Sequence, residues 1–176
     1  MIEMTVDELL CRYAAGERNF SAIRFVRDIE SRRGRVDLGG ADLRGVNLCG
    51  SDLHGANLSG AILSYASLRE ANLDEVVAVG TMLRASCLWL SSLRSADLTG
   101  ANMLAGSYLS ADLTGANMYG VTMCQCTVDG ADFSNGDLEL ATIFLVDFSK
   151  VDVRGFFTHE QAFFWKVTLP NGVYVE

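Results

Sequence analysis

Several features that would point to common classes of protein are absent from the 176-residue sequence. Proline occurs once, and 49% hydrophobic residues stand against 20% charged ones, which excludes a proline-rich linker and argues against intrinsic disorder. Only 14 basic residues oppose 22 acidic ones, and the net charge of −8 argues against direct nucleic-acid binding, which needs clustered Lys and Arg. No apolar stretch is long enough to cross a bilayer, so we expect no membrane span.

Cysteine is present in an odd number, five. The sequence begins Met1-Ile2-Glu3-Met4, without the basic and then apolar segments of a secretion signal. We therefore expect a cytoplasmic protein with reduced thiols.

A period of five residues dominates the middle of the sequence. An apolar residue recurs at every fifth position from Leu38 to Val153, through 24 repeats without an insertion, and it is Leu, Met, Ile or Phe in 20 of them. The preceding position is Asp, Asn, Ser or Thr in 20 of the 24 repeats, and the position before that is always small or β-branched. Five matches neither the period of a helix nor that of a strand, so the chain is expected to turn a corner in every repeat.

In this geometry the large apolar residue, here called the centre, and the small residue two before it point inward. The residue between them and the two after the centre point outward. Large and small inward residues alternate because a narrow bore cannot hold two large side chains on each side. Tyr108, the largest centre, is accordingly paired with Gly106, and Ala78, the smallest centre, with Val76.

Repeats such as Ala41-Asp42-Leu43 resemble the A(D/N)LXX signature of pentapeptide-repeat proteins, and the resemblance covers about residues 36–153. The segment Arg12–Phe20 resembles the leader of cyanobacterial members in particular. The resemblance implies an all-β fold, a right-handed quadrilateral parallel β-helix with four repeats per coil. Six coils then form a rod about 29 Å long, in which residues twenty apart stack. We number its faces one to four by the centres of the first coil, which are Leu38, Leu43, Leu48 and Leu53.

The ends of such a solenoid need caps, since bare ends expose unpaired backbone. We divide the chain into an N-terminal capping helix with an irregular first coil (1–35), six coils of β-helix (36–155) and a C-terminal cap (156–176).

At the N-terminus, Thr5 and Glu8 match a capping box that begins a short helix, whose Leu9, Leu10 and Tyr13 would cover the first coil. We interpret Phe20 and Phe25 as the first two centres. The distance from Phe20 to Leu38 then predicts a first coil of 18 residues.

The C-terminal segment is rich in aromatic residues. We expect them to plug the last coil, and the alternative is a homodimer contact, as C-terminal aromatics make in gyrase-inhibiting relatives. A second capping box is predicted at 158–161 and a tight turn at 169–173. The candidate cap or dimer contacts are Phe156, Phe157, Phe163, Phe164 and Trp165.

Nothing in the sequence points to an enzyme. Of the two histidines, His54 follows a centre on the solvated side and His159 lies in the C-terminal cap, and neither has a Ser or Cys partner nearby. The pair Cys124 and Cys126 faces opposite ways, and no second pair completes a metal site. We therefore expect no catalytic residue, no metal and no cofactor. No two cysteines of the repeats are spaced by twenty, so no disulfide is expected there.

Faces four and one carry an acidic strip at the position before the centre. One interpretation is hydrogen bonding of these side chains to nearby backbone. The alternative is an acidic surface that mimics DNA and inhibits DNA gyrase, as some family members do. The strip consists of Asp52, Asn72, Ser92, Asp112, Asp132 and Asp152 on face four and Asp37, Asn57, Val77, Asp97, Asn117 and Asp137 on face one.

The polar position fails only at Ile62, Val77, Met82 and Cys87, and outward apolar residues gather nearby on faces two and three. Contiguous apolar surface indicates an interface, and Trp and Tyr are typical anchors. We therefore predict a rigid repeat scaffold for protein–protein interaction with an unidentified protein partner, in a regulatory role. The candidate binding patch comprises Ile62, Tyr65, Met82, Trp89, Leu90, Leu104 and Leu109.

Overall fold

A computed structural model describes residues 1–26, 36–155 and 161–176. It confirms the all-β, right-handed quadrilateral β-helix. Along each face, short parallel bridges join residues twenty apart, for example Asp52 with Asn72 and Asn72 with Ser92. The Leu53 amide donates to the Asn72 carbonyl at 2.8 Å, and the same bond recurs from coil to coil. Residues 36–155 thus form six coils held by a continuous backbone ladder.

Each corner is a tight turn that follows the centre. The Ala56 amide donates to the carbonyl of the centre Leu53 at 2.9 Å, which closes the turn. The residue two after the centre has a left-handed backbone, with φ of +64° at Gly55, which explains the recurrent glycine at this position.

The bore is filled by stacked inward side chains. Leu53, Leu73 and Leu93 form one buried column, with at most 2% of each residue exposed. Burying each leucine contributes about 1.5–3 kcal/mol relative to leaving it in water. Inward hydroxyls are satisfied locally, because the Ser86 and Ser91 side chains each donate to the carbonyl of the preceding centre at 2.7 Å.

The predicted N-terminal helix is confirmed as α1 (Val6–Ala14). The Glu8 amide donates to the Thr5 side-chain oxygen at 3.1 Å, and Leu9 is fully buried over the first coil. Ahead of the helix, β1 (Ile2–Met4) pairs in parallel with β2 (Ile23–Phe25). Strand β1 was not predicted, because three residues are too few to show a repeat.

The predicted length of the first coil is wrong. Asn19 bridges Asn47 and Arg24 bridges Asp52, so the first coil takes 28 residues instead of the predicted 18, eight more than a regular coil. Phe20 and Phe25 are buried centres, as predicted, but they stack on faces three and four. The eight extra residues therefore enter between Phe25 and Leu38. The number of residues to the next recognisable centre does not determine the face on which a centre lies.

The C-terminal end combines parallel and antiparallel strands. On face two, β3 (Thr122–Cys124), β4 (Thr142–Phe144) and β5 (Phe163–Trp165) form a parallel sheet. Ile143 pairs with Phe164, a spacing of 21 that marks one inserted residue. Then β6 (Val167–Thr168) pairs with β7 (Tyr174–Val175) in an antiparallel hairpin.

The tight turn predicted at 169–173 is confirmed, since the Leu169 amide donates to the Val173 carbonyl at 2.8 Å. The second predicted capping box, at 158–161, falls largely outside the described residues, as do Phe156 and Phe157.

All five cysteines are free thiols. Cys126 is buried and Cys124 faces outward, as the repeat register predicts. Burial raises the pKa of the Cys126 thiol to about 12, so it stays protonated at neutral pH. Within the described ranges, no helix has the length and apolar character needed to span a bilayer.

The Tyr108–Gly106 pair tests the volume rule of the bore. A Cβ atom added at Gly106 would lie 2.7 Å from Tyr108 Cε2, and the tyrosine is fully buried. We expect Gly106→Ala to lower the free energy of unfolding by about 1–3 kcal/mol, because the ring cannot move aside. Urea denaturation measures this loss.

The double variant Gly106→Ala/Tyr108→Leu restores the usual Ala/Leu pair and should recover most of the lost stability. Tyr108→Leu alone is the matched control, since it leaves a cavity above Gly106. Additive losses in the double variant would contradict the volume rule.

Candidate functional site

Four residues of the predicted patch form two stacked pairs. Ile62 and Met82 are bridged neighbours in the middle of face two, and 38% of Met82 is exposed. Trp89 and Leu109 follow one another on face three, where the Leu90 amide donates to the Leu109 carbonyl at 3.0 Å. The coil register therefore places these two pairs as the repeat spacing predicts.

The other three patch residues lie apart from these pairs. Tyr65 stands at the corner between faces two and three and Leu90 at the corner between faces three and four, both with positive φ. Leu104 lies at the end of face two, in a column of its own, so the patch is distributed over three columns and two corners.

The Trp89 ring is in contact with a charged side chain of its own chain. The Arg69 guanidinium carbon lies 4.1 Å from the centroid of the Trp89 ring, a cation–π contact with the preceding coil. Arg69 Nε also donates to Glu70 at 2.9 Å. The indole is thereby held in place with 38% of the residue exposed, next to Leu109.

Leu104 belongs to an apolar column that the sequence reasoning missed. Its neighbours are Cys124, Phe144 and Trp165, because amides at successive corners donate to the carbonyls of these three residues. The Phe144 and Trp165 rings stack with centroids 4.9 Å apart and planes 24° apart. We call Leu104, Cys124, Phe144 and Trp165 the face-two ladder. The spacing of 20 could have revealed its first three members, but the inserted residue hid Trp165.

The described C-terminal aromatics divide between the core and the side of the rod. Phe164 is half-buried and packs against the core, as a plug should. Phe163 and Trp165 do not plug the bore, since they point sideways from β5 and are 58% and 44% exposed. They lie on face two because side chains alternate along a strand.

The acidic strip uses its side chains locally. At every Asp and Asn of the strip, an Oδ1 atom accepts the amide hydrogen bond of the residue two further on, for example Asp132 from Ser134 at 2.8 Å; Ser92 and Val77 lack this atom. Asn57 also donates to Asp37 of the preceding coil at 2.8 Å. The interpretation as backbone-capping side chains is therefore confirmed, and it explains the Asp/Asn preference of the repeat.

Charge is nevertheless divided sharply between the two sides of the rod. Within residues 36–155, faces four and one carry ten acidic and two basic residues, a net charge of −8. Faces two and three carry four of each and are neutral. Face four has no large exposed apolar side chain in this part of the chain. Face one does expose Val79, Tyr119 and Leu140, so the two sides differ mainly in charge.

Asp74 is the most buried carboxylate among the ion pairs of the acidic side. Arg94 Nη2 lies 2.7 Å from Asp74 Oδ2, and the Ser92 hydroxyl donates to Oδ1 at 2.5 Å. Partial burial alone would raise the pKa of Asp74, but the hydrogen bonds from Arg94 and Ser92 outweigh it and hold the pKa below the usual range.

Across 1–26, 36–155 and 161–176, His, Cys, Asp and Glu side chains form no group able to hold a metal ion. His54 lies exposed on face four. The organised features are flat columns of outward side chains at a fixed spacing.

This arrangement defines a solenoid built from five-residue repeats. A family model for pentapeptide repeats matches residues 35–64, 51–89 and 91–138 in eight copies, more than half of the chain. The protein belongs to the pentapeptide-repeat family. Members of this family are generally non-enzymatic structural repeat proteins.

Two solved structures from cyanobacteria are similar. HetL, involved in heterocyst differentiation regulation in Nostoc sp. strain PCC 7120, is 24% identical, with 97% of this chain and 99% of HetL covered and a TM-score of 0.54. Rfr23 from Cyanothece 51142 is 19% identical, with 73% and 91% covered and a TM-score of 0.59. These similarities support the fold alone.

Full-length QnrB1, a plasmid-mediated fluoroquinolone resistance protein, is 16% identical over 86% of this chain and 84% of QnrB1, with a TM-score of 0.42. That likeness is too weak to support an argument. No curated protein matches the sequence.

The Asp74–Arg94 pair should make stability depend on pH. We expect Asp74→Asn to lower the free energy of unfolding by about 1–3 kcal/mol at pH 7, because a charge-assisted hydrogen bond is lost. The folded-state pKa is depressed, so the wild-type advantage is present above the carboxylate's ordinary pKa and fades as pH falls through the folded value.

Urea denaturation at neutral and acidic pH measures this difference. Asp129→Asn is the matched control, because its pair with Lys150 is exposed and should contribute little. An Asp74→Asn deficit that persists unchanged in acid would contradict the assignment.

Proposed function

We propose that this protein is a non-enzymatic, rigid scaffold that binds a protein partner through faces two and three. The observation that carries this proposal is the contrast between its sides. Faces four and one bear a charge of −8, whereas faces two and three are neutral and carry the stacked Trp89–Leu109 pair. Exposed aromatic and Arg side chains in a neutral setting are typical of protein interfaces.

Rigidity supports this role. Every outward column is attached to a backbone that is hydrogen-bonded to the coil on either side, over a filled core. Side chains on such a lattice lose little conformational freedom when a partner binds, so less of the binding free energy is lost in ordering them. A partner therefore meets a surface that is already in its bound shape.

A regulatory role fits such a scaffold. HetL, which is similar over almost its whole length, is involved in the regulation of heterocyst differentiation. We propose a role of the same general kind, in which binding alone is the activity.

The second candidate function is inhibition of DNA gyrase by an acidic, DNA-like surface. The concentration of ten acidic residues on faces four and one favours it. The two Arg side chains on these faces oppose it, because Arg94 and Arg154 each pair with an aspartate there.

Partner capture from a lysate of the source organism tests the scaffold. We expect Leu109→Asp and Trp89→Ala to lose the captured protein, since a buried charge or a missing anchor typically weakens an interface by tenfold or more, about 1.4 kcal/mol. Thr114→Ala on face four is the control and should retain it. Capture that is unchanged by folded Trp89 and Leu109 variants would refute binding at this pair.

Gyrase supercoiling measured with the purified protein separates the two functions. We expect no inhibition at micromolar protein, because the acidic side chains are engaged with their own backbone and with Arg94 and Arg154. If the protein inhibits supercoiling and the double variant Asp112→Asn/Asp132→Asn inhibits it less, the DNA-mimic function replaces the proposed scaffold function.

A further inference from the structure

In the column of the face-two ladder, a cation lies one rung before Leu104 and aromatic rings lie at the C-terminal end. Arg84 precedes Leu104 in this column, since the Ala85 amide donates to the Leu104 carbonyl at 2.8 Å. The Arg84 side chain is exposed, and its guanidinium makes no hydrogen bond or ion pair with the described part of the chain; only its backbone carbonyl accepts, from the Tyr65 amide at 2.8 Å. Four rungs further on, Trp165 exposes 44% of its surface. A free guanidinium thus lies on one line with an exposed indole, which stacks on Phe144 and already has Lys166 Nζ 5.2 Å from its ring centroid.

A second column runs beside the ladder along the middle of face two. Its last five residues run from Met82, which is 38% exposed, to Phe163, which is 58% exposed; Asp42 and Ile62 precede them. Between Met82 and Phe163 lie the small polar residues Asn102, Thr122 and Thr142. Over this stretch both columns therefore have large side chains at the ends and small ones at the β3 rung.

Each of these two columns is complementary to the same column of a second copy that runs in the opposite direction. A two-fold rotation about an axis along strand β3 generates a second copy whose face two packs against face two of the first, with the two rods antiparallel. The rotation places Arg84 against Trp165 of the second copy and Leu104 against its Phe144. In the neighbouring column it places Met82 against Phe163 of the second copy. Each large side chain meets an apolar or cation–π partner, and the small β3 side chains meet on the axis.

We propose that face two binds a second copy of this chain, side by side and antiparallel, about the β3 rung. Spacing favours this occupant over a helix. The coils present one row of side chains about every 4.8 Å, and a second copy has the same period. A helix, with a pitch of about 5.4 Å, would fall out of step within a few turns.

Charge favours the same arrangement. Face two and its neighbour face three are neutral in the repeats, so two copies can approach there without repulsion. The acidic faces four and one, which would repel each other, remain outside the contact. The contact is isologous, as two-fold homodimers require.

This dimer differs from end-to-end pairing through the C-terminal aromatic cap. Phe163 and Trp165 point sideways from β5, and of the three described aromatics of the C-terminal cap only Phe164 packs against the core. A lateral contact uses the exposed pair and leaves the plug intact. It deepens the proposed scaffold role by naming the occupant of face two, and it leaves Trp89 and Leu109 on face three to the other partner.

Sedimentation equilibrium of wild-type protein and two arginine variants tests the proposal. We expect a dimer whose dissociation constant rises on the order of tenfold in Arg84→Glu, which replaces two cation–π contacts per dimer with carboxylates. Arg44→Glu is the matched control, because Arg44 lies in the same column two coils away and beyond the overlap. It should leave the constant unchanged.

A protein that stays monomeric overturns the proposal, as does a dimer that Arg84→Glu and Arg44→Glu weaken equally or not at all. Neither result affects partner capture at Trp89 and Leu109, so failure of this inference is distinguishable from failure of the proposed scaffold. Trp165→Ala is a second variant and should weaken the dimer on the same scale.

Crosslinking at Cys124 locates the axis. Packed sheets lie ~10 Å apart, so a short bis-maleimide can join the two Cys124 thiols in the lateral dimer. We expect a covalent dimer from a variant in which Cys11, Cys49 and Cys87 are serine, since Cys126 is buried and protonated. Additional Cys124→Ser should abolish the product. If that variant is a dimer in solution but yields no crosslinked product, the two chains pair end to end instead. A dimer that is as long as two rods by X-ray scattering leads to the same conclusion.

Discussion

Backbone hydrogen bonds between residues twenty apart hold this molecule together, and all other features depend on that register. Each rung of the described coils bonds to the rung before it and the rung after it, as Asn72 does with Asp52 and Ser92. Side chains therefore stack directly over one another in columns, inside and outside the rod. Residues 36–155 contain no insertion, so every column in this range can be assigned by counting residues.

The repeat leaves few positions free for binding. The centre and the small residue before it are committed to the bore, as the Leu53, Leu73 and Leu93 column shows. The Asp or Asn between them accepts an amide hydrogen bond from its own corner, as Asp132 does. Only the outward corner residues, and rungs where the polar position has drifted to apolar types, can vary without loss of the fold. Those positions carry the face-two ladder and the Trp89–Leu109 pair.

Such a rod recognises partners through the arrangement of its columns. The neutral sides present rings and aliphatic side chains on a fixed lattice, and the acidic sides hold most of the charge. Because the backbone does not need to rearrange, affinity depends on how well a partner matches the spacing of the columns. Side-by-side association on face two and partner binding on face three can therefore coexist on one scaffold.

The amino-acid sequence by itself determined the repeat, and through the resemblance to pentapeptide-repeat proteins, which implies four repeats per coil, it also predicted the fold and most of the columns. Thus Leu53 could be placed over Leu73, and Ile62 beside Met82, by counting. Counting failed where the period breaks. Only the tertiary structure could show that Phe20 stacks on face three and that Trp165 joins Phe144, since pairing across an insertion is decided by backbone bonds and packing between distant residues. Tertiary contact likewise brought Arg69 over Trp89.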